Sequence, residues 1–262
     1  MTTQLFPQGV LPLLIDTLKN FIPGNRRPII EFMCHPMFEG VLPEPKPAAK
    51  CIPDWFKRIS PNIPDSLDNL GRPGMSAKKC MPMLDAMSVG FIIPLQADVG
   101  LRVSEKCSII EAKNGPDIKS IEFHNIAQLG GTAAPGYPAP PIKFLNHWVI
   151  KTAPGWSTLF LPLINDVEQK DFTCLAGFVD TDTYVKEVNF PAIWHTPNYE
   201  GYLKAGTPLV VAIPINRRIL QETKKPIIRK MTPAEFKNIE KTRLRQESRS
   251  GVYTNELREP RK

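Results

Sequence analysis

The residues of this 262-residue chain that could hold a metal ion are few and widely spaced. It has four histidines, His35, His124, His147 and His195, and the spacings His-X-His, His-X-Asp and His-Glu-X-X-His do not occur. A facial metal triad needs two histidines and a carboxylate that converge from neighbouring strands. His147, His195 and Asp180 could form such a triad in a cupin-like barrel. Because lone histidines beside tryptophan on a strand more often pack as ordinary side chains, we expect no transition metal and no other cofactor.

Asp180 and Asp182 are the most suggestive acidic pair, in the run GFVDTDTY (177–184). Carboxylates that alternate near a strand end can face one side, where they could bind a cation or act as acid and base. Asp-Thr-Asp-Thr runs more often form turns through hydrogen bonds between side chain and backbone. We treat both residues as candidate binding residues and favour the structural role.

Trp148, Trp156 and Trp194 are the other candidate binding residues. They fall on successive predicted strands and could line a pocket, although large aromatic residues more often fill β cores. Ser157 lacks the second glycine of a nucleophile elbow. Cys174 lies on a predicted buried strand and is interpreted as a small hydrophobic residue. We therefore predict no catalytic residue.

The elements that must position these residues are strands. Between Cys80 and Asn216, short runs rich in β-branched and aromatic residues recur at roughly 10–18-residue spacing, bounded by turn residues. GLRVSEKC and SIIEAKN, for example, are predicted to pair. The rhythm predicts a mainly β fold whose antiparallel core is a β-sandwich, a jelly roll or a partly closed barrel. Helical patterns are missing between the strands, which excludes parallel βαβ units.

Composition divides the chain into four segments: an N-terminal arm (1–30), a proline-rich extended wrapping segment (31–79), the β-rich core (80–218) and a basic C-terminal helical tail (219–262). Apolar residues at helical spacing predict a short amphipathic helix over roughly 10–21. One helical turn is predicted at Asp54–Ile59, with Trp55 and Phe56 as anchors into the core. Thr232, Pro233 and Glu235 form a predicted capping box, and a helix should run from there to about Gln246.

The net charge of +7 resides in the tail, since Arg217–Lys262 holds 14 Lys and Arg against six Asp and Glu. A basic tail attracts nucleic acid or acidic protein surfaces. The interspersed acids favour a solvated helix face instead, with at most weak nucleic-acid contact. Five cysteines at wide spacing indicate reduced thiols. The apolar stretch at 9–21 is too short to span a bilayer and holds Asp16 and Lys19, so no membrane partner is expected.

Four stretches cover most of the body: CMPMLDAMSVGFIIPLQADV, KFLNHWVIKTAPGWSTLFLPLIN, GFVDTDTYVKEVNFPAIW and KAGTPLVVAIPINR. Together they resemble an uncharacterised family of tailed-phage and bacterial proteins. The proline-rich stretch IEFMCHPMFEGVLPEPKPAAKCIPDWFKRISP resembles phage members that infect marine cyanobacteria. Order and spacing hold over about 190 residues. The resemblance implies a viral origin, and the family carries no assigned activity.

GFVDTDTY followed by LKAGTPLVVAIPI is similar to the last strands of the dUTPase and dCTP-deaminase fold. APGWSTLF stands where that family has a proline-glycine turn. The chain departs from the pattern at Tyr184, which comes one residue late, and at residues 162–165, where Pro-Leu-Ile-Asn replaces the phosphate-binding arginine-serine-glycine motif. A charged helix replaces the glycine-rich arm that closes over nucleotide. The resemblance implies a β-clip fold without the nucleotide chemistry.

These observations predict a non-enzymatic structural or assembly protein of a tailed phage, located in the virion or the host cytoplasm. We expect it to be oligomeric, with copies of itself or other virion proteins as partners. The alternative is a small-molecule enzyme on a cupin-like or dUTPase-like barrel, either a metal oxygenase or a diverged nucleotide hydrolase.

Overall fold

The structure is a computed structural model that describes residues 29–68, 71–129, 140–222 and 226–259. The helix predicted over 10–21 lies outside the described residues. The chain is mainly β, with antiparallel sheets in a β-sandwich-like arrangement and a C-terminal helix, which confirms the predicted fold class. Its described residues form two compact units, those within 29–59 and 85–217, and those within 60–84 and 218–259.

The strands in chain order are β1 (Ile30–Cys34), β2 (Lys46–Pro47), β3 (Asn62–Leu67), β4 (Pro73–Met75), β5 (Phe91–Pro94), β6 (Val99–Val103), β7 (Ile110–Asn114), β8 (Ile121–Phe123), β9 (Ile142–Phe144), β10 (Trp148–Thr152), β11 (Trp156–Leu161), β12 (Phe172–Cys174), β13 (Gly177–Val179), β14 (Phe190–Trp194), β15 (Glu200–Leu203) and β16 (Pro208–Asn216). In the first unit they form a five-stranded sheet (β13-β11-β16-β5-β2), a four-stranded sheet (β12-β14-β9-β8), a three-stranded sheet (β15-β6-β7) and the pair β1-β10. The predicted pairing of GLRVSEKC with SIIEAKN is confirmed by β6 and β7.

The core of the first unit follows from the alternation of the strands. β14 buries Phe190, Ala192 and Trp194 and leaves the residues between them half-buried, as period-2 geometry requires. β16 instead holds four consecutive buried residues, Leu209–Ala212, which means that both faces of its sheet are covered at this strand. Side chains of all these sheets meet in one apolar cluster. This cluster is the platform on which the candidate site is built.

The wrapping segment is tied to the first unit by aromatic anchors, as predicted. Helix α1 (Asp54–Arg58) confirms the predicted helical turn and buries Phe56. The Trp55 indole donates to the carbonyl oxygen of Asn165 at 2.8 Å. β1 pairs with β10 in a two-stranded sheet.

The second unit departs from the predicted extended wrap. Residues 60–84 contain the β3-β4 hairpin, and these residues group with the tail rather than with the rest of the wrapping segment. Because proline cannot donate to a β ladder, the prolines of this segment argued against strands, and the sequence did not predict the hairpin. Helix α2 (Met81–Ser88) follows the hairpin.

The tail carries α3 (Ile219–Glu222), α4 (Pro233–Ser248) and a π-helical turn at Tyr253–Leu257. The predicted capping box is confirmed: the Thr232 hydroxyl accepts from the Glu235 N–H, and the Glu235 carboxylate accepts from the Thr232 N–H. The pKa of Glu235 falls to about 2 because Arg229 and Thr232 both donate to its carboxylate. In the described parts of the chain, every helix is too short or too polar to cross a lipid bilayer.

Candidate functional site

The structure brings Asp180 and Asp182 into a cluster of polar side chains that we name the polar corner. Its members are Thr152, Ser157, Thr158, Asp180, Thr181, Asp182 and Arg217. Thr152 ends β10, Ser157 and Thr158 lie on β11, the acidic pair lies in the turn after β13, and Arg217 follows β16. The tight turn between β10 and β11 needs Gly155, whose φ of +80° lies in the left-handed region.

A chain of hydroxyl groups runs through the buried part of the polar corner. The Thr152 hydroxyl donates to the carbonyl oxygen of Trp156 at 2.8 Å. Thr181 Oγ1 lies 2.8 Å from both Thr152 Oγ1 and Thr158 Oγ1. Since each hydroxyl has one proton, Thr158 donates to Thr181, Thr181 to Thr152, and Thr152 to the backbone. These hydroxyls are buried, and the chain gives each of them a partner.

Arg217 clamps both carboxylates at the outer side of the corner. Its guanidinium lies 3.0 Å from Asp180 Oδ1 and 2.5 Å from Asp182 Oδ2. The Ser157 hydroxyl donates to Asp180 at 2.6 Å, and the Gly155 N–H donates to Asp182 at 2.9 Å. The pKa of Asp180 is lowered by Ser157 and Arg217. Burial raises the pKa of Asp182, but Arg217 and the Gly155 N–H outweigh it, so that pKa is also lowered.

This geometry suits a role in holding the strands together better than a role in catalysis. A carboxylate with a lowered pKa is a weak base, and Asp180 Oδ1 and both carboxylate oxygens of Asp182 already accept from donors. Ser157 is fully buried, so no substrate reaches its hydroxyl. The prediction placed a turn at these residues, and the backbone N–H groups of Thr183 and Tyr184 do bond to the Asp180 carbonyl oxygen. The aspartate side chains, however, act over long sequence distances, with Ser157, Gly155 and Arg217 as their partners.

The three tryptophans do not converge with the acidic pair on one pocket. Trp194 is buried in the core, where it packs on Tyr199 and Phe172. The indole of half-buried Trp148 donates to the carbonyl oxygen of Pro43, which ties down the wrapping segment. Trp156 is half-buried at the start of β11. Trp194 and Trp148 therefore serve packing.

The two histidines of the suggested metal triad have separate partners. His147 Nε2 lies 2.9 Å from the Lys119 carbonyl oxygen, and His195 Nε2 lies 2.8 Å from Thr173 Oγ1. Asp180 belongs to the polar corner. No group of three His, Cys, Asp or Glu residues in the described parts of the chain is placed to hold a metal ion. The cupin-like triad therefore does not form.

Cys174 lies on β12 and is buried, as predicted, and burial raises the pKa of its thiol to about 12. Such a thiol stays protonated and is a poor nucleophile. All five cysteines lie within the described residues, and none of them forms a disulfide.

The first unit also contains an opening that sequence reasoning missed, which we name the apolar pocket. It has a volume of about 350 Å³. Its apolar wall includes Phe160, Gly177, Val179, Val188, Phe190 and Pro191. Among its polar lining residues, His124 Nδ1 lies 2.8 Å from Gln128 Oε1, and Asn189 Oδ1 accepts from the Asn146 N–H. The pocket combines residues from strands far apart in sequence, so no local motif could have indicated it.

Arg217 is the other feature that the sequence concealed. It was counted with the basic tail, yet it pairs with carboxylates 35 and 37 residues earlier in the chain. The comparisons with known proteins add no assignment, because no protein-family model and no curated protein sequence matches the chain.

Proposed function

We propose that this chain is a non-enzymatic assembly protein of a tailed phage, which binds other protein subunits through its C-terminal helix. One observation carries the proposal. Helix α4, all of whose residues are described, buries none of them. Its apolar side chains Phe236, Ile239 and Leu244 are 59%, 48% and 62% exposed, and we name them the exposed stripe.

A helix with this surface needs a packing partner. Isolated helices of about this length are marginal in water, and most helical stability in proteins comes from packing of an apolar face. The capping box strengthens the first turn by only about 1 kcal/mol. Apolar side chains left in water contribute nothing to folding, so their presence favours a role in association.

The segment before α4 extends this surface. Ile227 and Ile228 are 88% and 91% exposed. Together with the helix, this segment forms the C-terminal groove, of about 390 Å³, lined by Ile227, Arg229, Met231, Glu235, Asn238 and Ile239. A surface that combines apolar and charged side chains is compatible with protein interfaces, in which a polar rim surrounds an apolar centre.

The charges of the tail favour a protein partner over nucleic acid. Arg229 pairs with Glu235, Arg243 pairs with Glu247, and Arg249 pairs with Glu256. Phosphate binding depends on basic groups that exchange counterions for phosphates. Arginines already neutralised by glutamates of the same helical region contribute less to such binding.

The viral part of the proposal rests on the sequence resemblance to tailed-phage proteins. The enzyme alternative has less support, because its suggested ligands His147, His195 and Asp180 each have other partners. Mass spectrometry of purified particles should detect peptides of this chain in stoichiometric amounts. Particles that lack them would contradict a virion location.

Sedimentation velocity of the full-length chain tests the assembly role. We expect the wild type to associate in a concentration-dependent way, and Phe236→Asp to weaken association by at least about tenfold, because a carboxylate would be desolvated in an apolar contact. Ala234→Asp is the matched control: it adds the same charge to the same helix at an exposed position about 160° around from Phe236. The proposal would be contradicted if the two changes weakened association equally. It would also be contradicted if the wild type stayed monomeric both alone and when mixed with particle proteins.

A further inference from the structure

A groove runs beside strand β15 in the first unit, and we name it the edge groove. It has a volume of about 560 Å³. Its lining comes from three stretches of chain: residues 51–57 around the start of helix α1, residues 166–171 between β11 and β12, and residues 199–208 with β15. All three stretches are described throughout. A groove of this size beside the edge of a sheet can hold several residues of an extended peptide.

The side of β15 that faces away from β6 is an open edge. β15 is the last strand of the three-stranded sheet, and among the described residues it pairs with β6 alone. The Val103 N–H donates to the Tyr199 carbonyl oxygen at 2.8 Å, so alternate residues of β15 from Tyr199 onward bond to β6. The backbone groups of Glu200 and Tyr202 therefore point away from β6. Such an edge is a template for an added strand.

The edge groove is acidic. Its charged lining consists of four carboxylates and two lysines, Asp54, Asp166, Glu168, Asp171, Lys57 and Lys204. Asp54 and Glu168 have basic partners, whereas Asp166 and Asp171 form no ion pair with the described residues. Asp166 Oδ1 accepts from backbone N–H groups of its own loop, and Asp171 Oδ1 accepts from the Thr196 hydroxyl at 2.6 Å. Two half-buried carboxylates without a basic partner favour a positively charged ligand.

We infer that the edge groove takes up residues 226–230 of a second copy of this chain, which add a strand to β15. This inference rests on the assembly role proposed above. Residues 226–230 read Pro-Ile-Ile-Arg-Lys and belong to no helix or strand of their own chain. Addition of an extended peptide to an exposed sheet edge is a recurring mode of recognition, in which backbone hydrogen bonds give affinity and side-chain contacts give specificity.

The segment has the composition that this groove requires. Ile227 and Ile228 are almost fully exposed, and isoleucine is enriched in strands. Lys230 forms no ion pair with the described residues, and Lys224 and Lys225 add two positive charges to the same stretch of sequence. Its charge is thus opposite to that of the edge groove. Because both surfaces belong to one chain, repeated head-to-tail contacts between copies would close a ring or extend a filament.

Photo-crosslinking between two forms of the full chain tests which surface the segment meets. A chain with a benzophenone amino acid at Ile228 is mixed with an isotopically labelled chain that lacks the probe. The products should join Ile228 to residues of the edge groove in the labelled copy. The same probe at Val185, which is nearly as exposed, is the matched control and should give few such products. Products only within one chain, or only with other surfaces, would overturn the inference.

A double-mutant cycle tests the charges. Lys230→Glu should weaken association by at least about fivefold in sedimentation velocity, because a carboxylate would meet the carboxylates of the groove. In a chain that also carries Asp166→Asn and Asp171→Asn, which keep a side-chain oxygen as acceptor, the further loss from Lys230→Glu should be less than about twofold. Lys106→Glu, at an exposed lysine outside the groove, is the matched control and should leave association unchanged. Equal losses from Lys230→Glu on both backgrounds would overturn the inference.

Hydrogen exchange reports the added strand itself. The amides of Glu200 and Tyr202 should exchange at least about tenfold more slowly in the concentrated, associated wild type than in the dilute, monomeric protein. The amides of Gly201 and Leu203 should change less, since their positions in β15 already bond to β6. Unchanged exchange at Glu200 and Tyr202 on association would overturn the inference. The exchange and crosslinking measurements need no groove variant, so they hold even if the Asn substitutions impair folding.

The failure of this inference can be distinguished from failure of the assembly role. A wild type that stays monomeric alone and with particle proteins contradicts the assembly proposal. A wild type that binds particle proteins but not a second copy overturns the present inference alone. The same holds for a wild type that associates and is weakened by Phe236→Asp, yet gives no crosslinks between Ile228 and the edge groove.

Discussion

The polar corner and the exposed stripe both reverse the usual placement of side chains, in opposite directions. The polar corner buries Thr158 and Thr181, whereas the exposed stripe leaves Phe236 and Leu244 in water. In the corner each buried hydroxyl has a hydrogen-bond partner. In the stripe the apolar groups have no packing surface within their own helix.

This difference between the two regions indicates which property a substitution will change, the stability of the fold or its association with a partner. A buried polar group that keeps its hydrogen bonds stabilises one geometry, and it costs free energy as soon as one partner is removed. An exposed apolar group costs little in the free protein and gains free energy only when another surface covers it. Substitutions in the corner should therefore change unfolding, and substitutions in the stripe should change binding.

Thr181→Val should give the largest loss of stability. Valine keeps the shape but removes the hydroxyl that links Thr152 and Thr158, which leaves two buried hydroxyls with fewer partners. We expect the free energy of unfolding to fall by about 1–3 kcal/mol in urea titrations. Thr183→Val, two residues away with an exposed side chain, is the control and should change it by less than about 0.5 kcal/mol. Equal effects would show that the hydroxyl chain does not stabilise the fold.

Asp182→Ala should have the next largest effect. The Asp182 side chain is only 7% exposed, and it accepts hydrogen bonds from Arg217 and the Gly155 N–H. Its loss should lower the free energy of unfolding by about 0.5–2 kcal/mol. Asp117→Ala removes an exposed carboxylate and should be near neutral. Calorimetric binding of dUTP or dCTP at micromolar levels, abolished by Asp182→Ala, would instead assign this corner a nucleotide-binding role.

The same ion pairs predict a pH dependence. The pKa values of Asp180 and Asp182 are lowered in the folded state, so their contribution is complete above the unfolded pKa of about 3.9 and is lost as pH falls through the folded values. Arg217→Met should therefore destabilise the protein at pH 6–7, and the difference from wild type should shrink below about pH 4. Thermal melts across this range measure it. A difference that grows on acidification would contradict the assigned ion pairs.

Short-range sequence patterns were sufficient to predict the elements that residues close together in the chain determine. Thr232 and Glu235 correctly predicted the start of α4, and helix α1 (Asp54–Arg58) lies where a helical turn was predicted. Pairings between distant residues left no such signal. Nothing near Arg217 indicates that Asp182 will meet it, because that contact depends on β11 lying between β13 and β16 in the folded sheet. The apolar pocket stayed hidden for the same reason.

Leu244→Ser should have the smallest effect on stability. Leu244 is 62% exposed, so removing its apolar surface changes little between the folded and unfolded states, and serine lowers helix propensity by only a few tenths of a kcal/mol. We expect the free energy of unfolding to shift by no more than about 0.5 kcal/mol. If the exposed stripe is covered by a partner subunit, the same change should weaken association measurably in sedimentation velocity. A variant that melts several degrees lower while associating normally would place Leu244 against its own chain, and the contrast between corner and stripe would then fail.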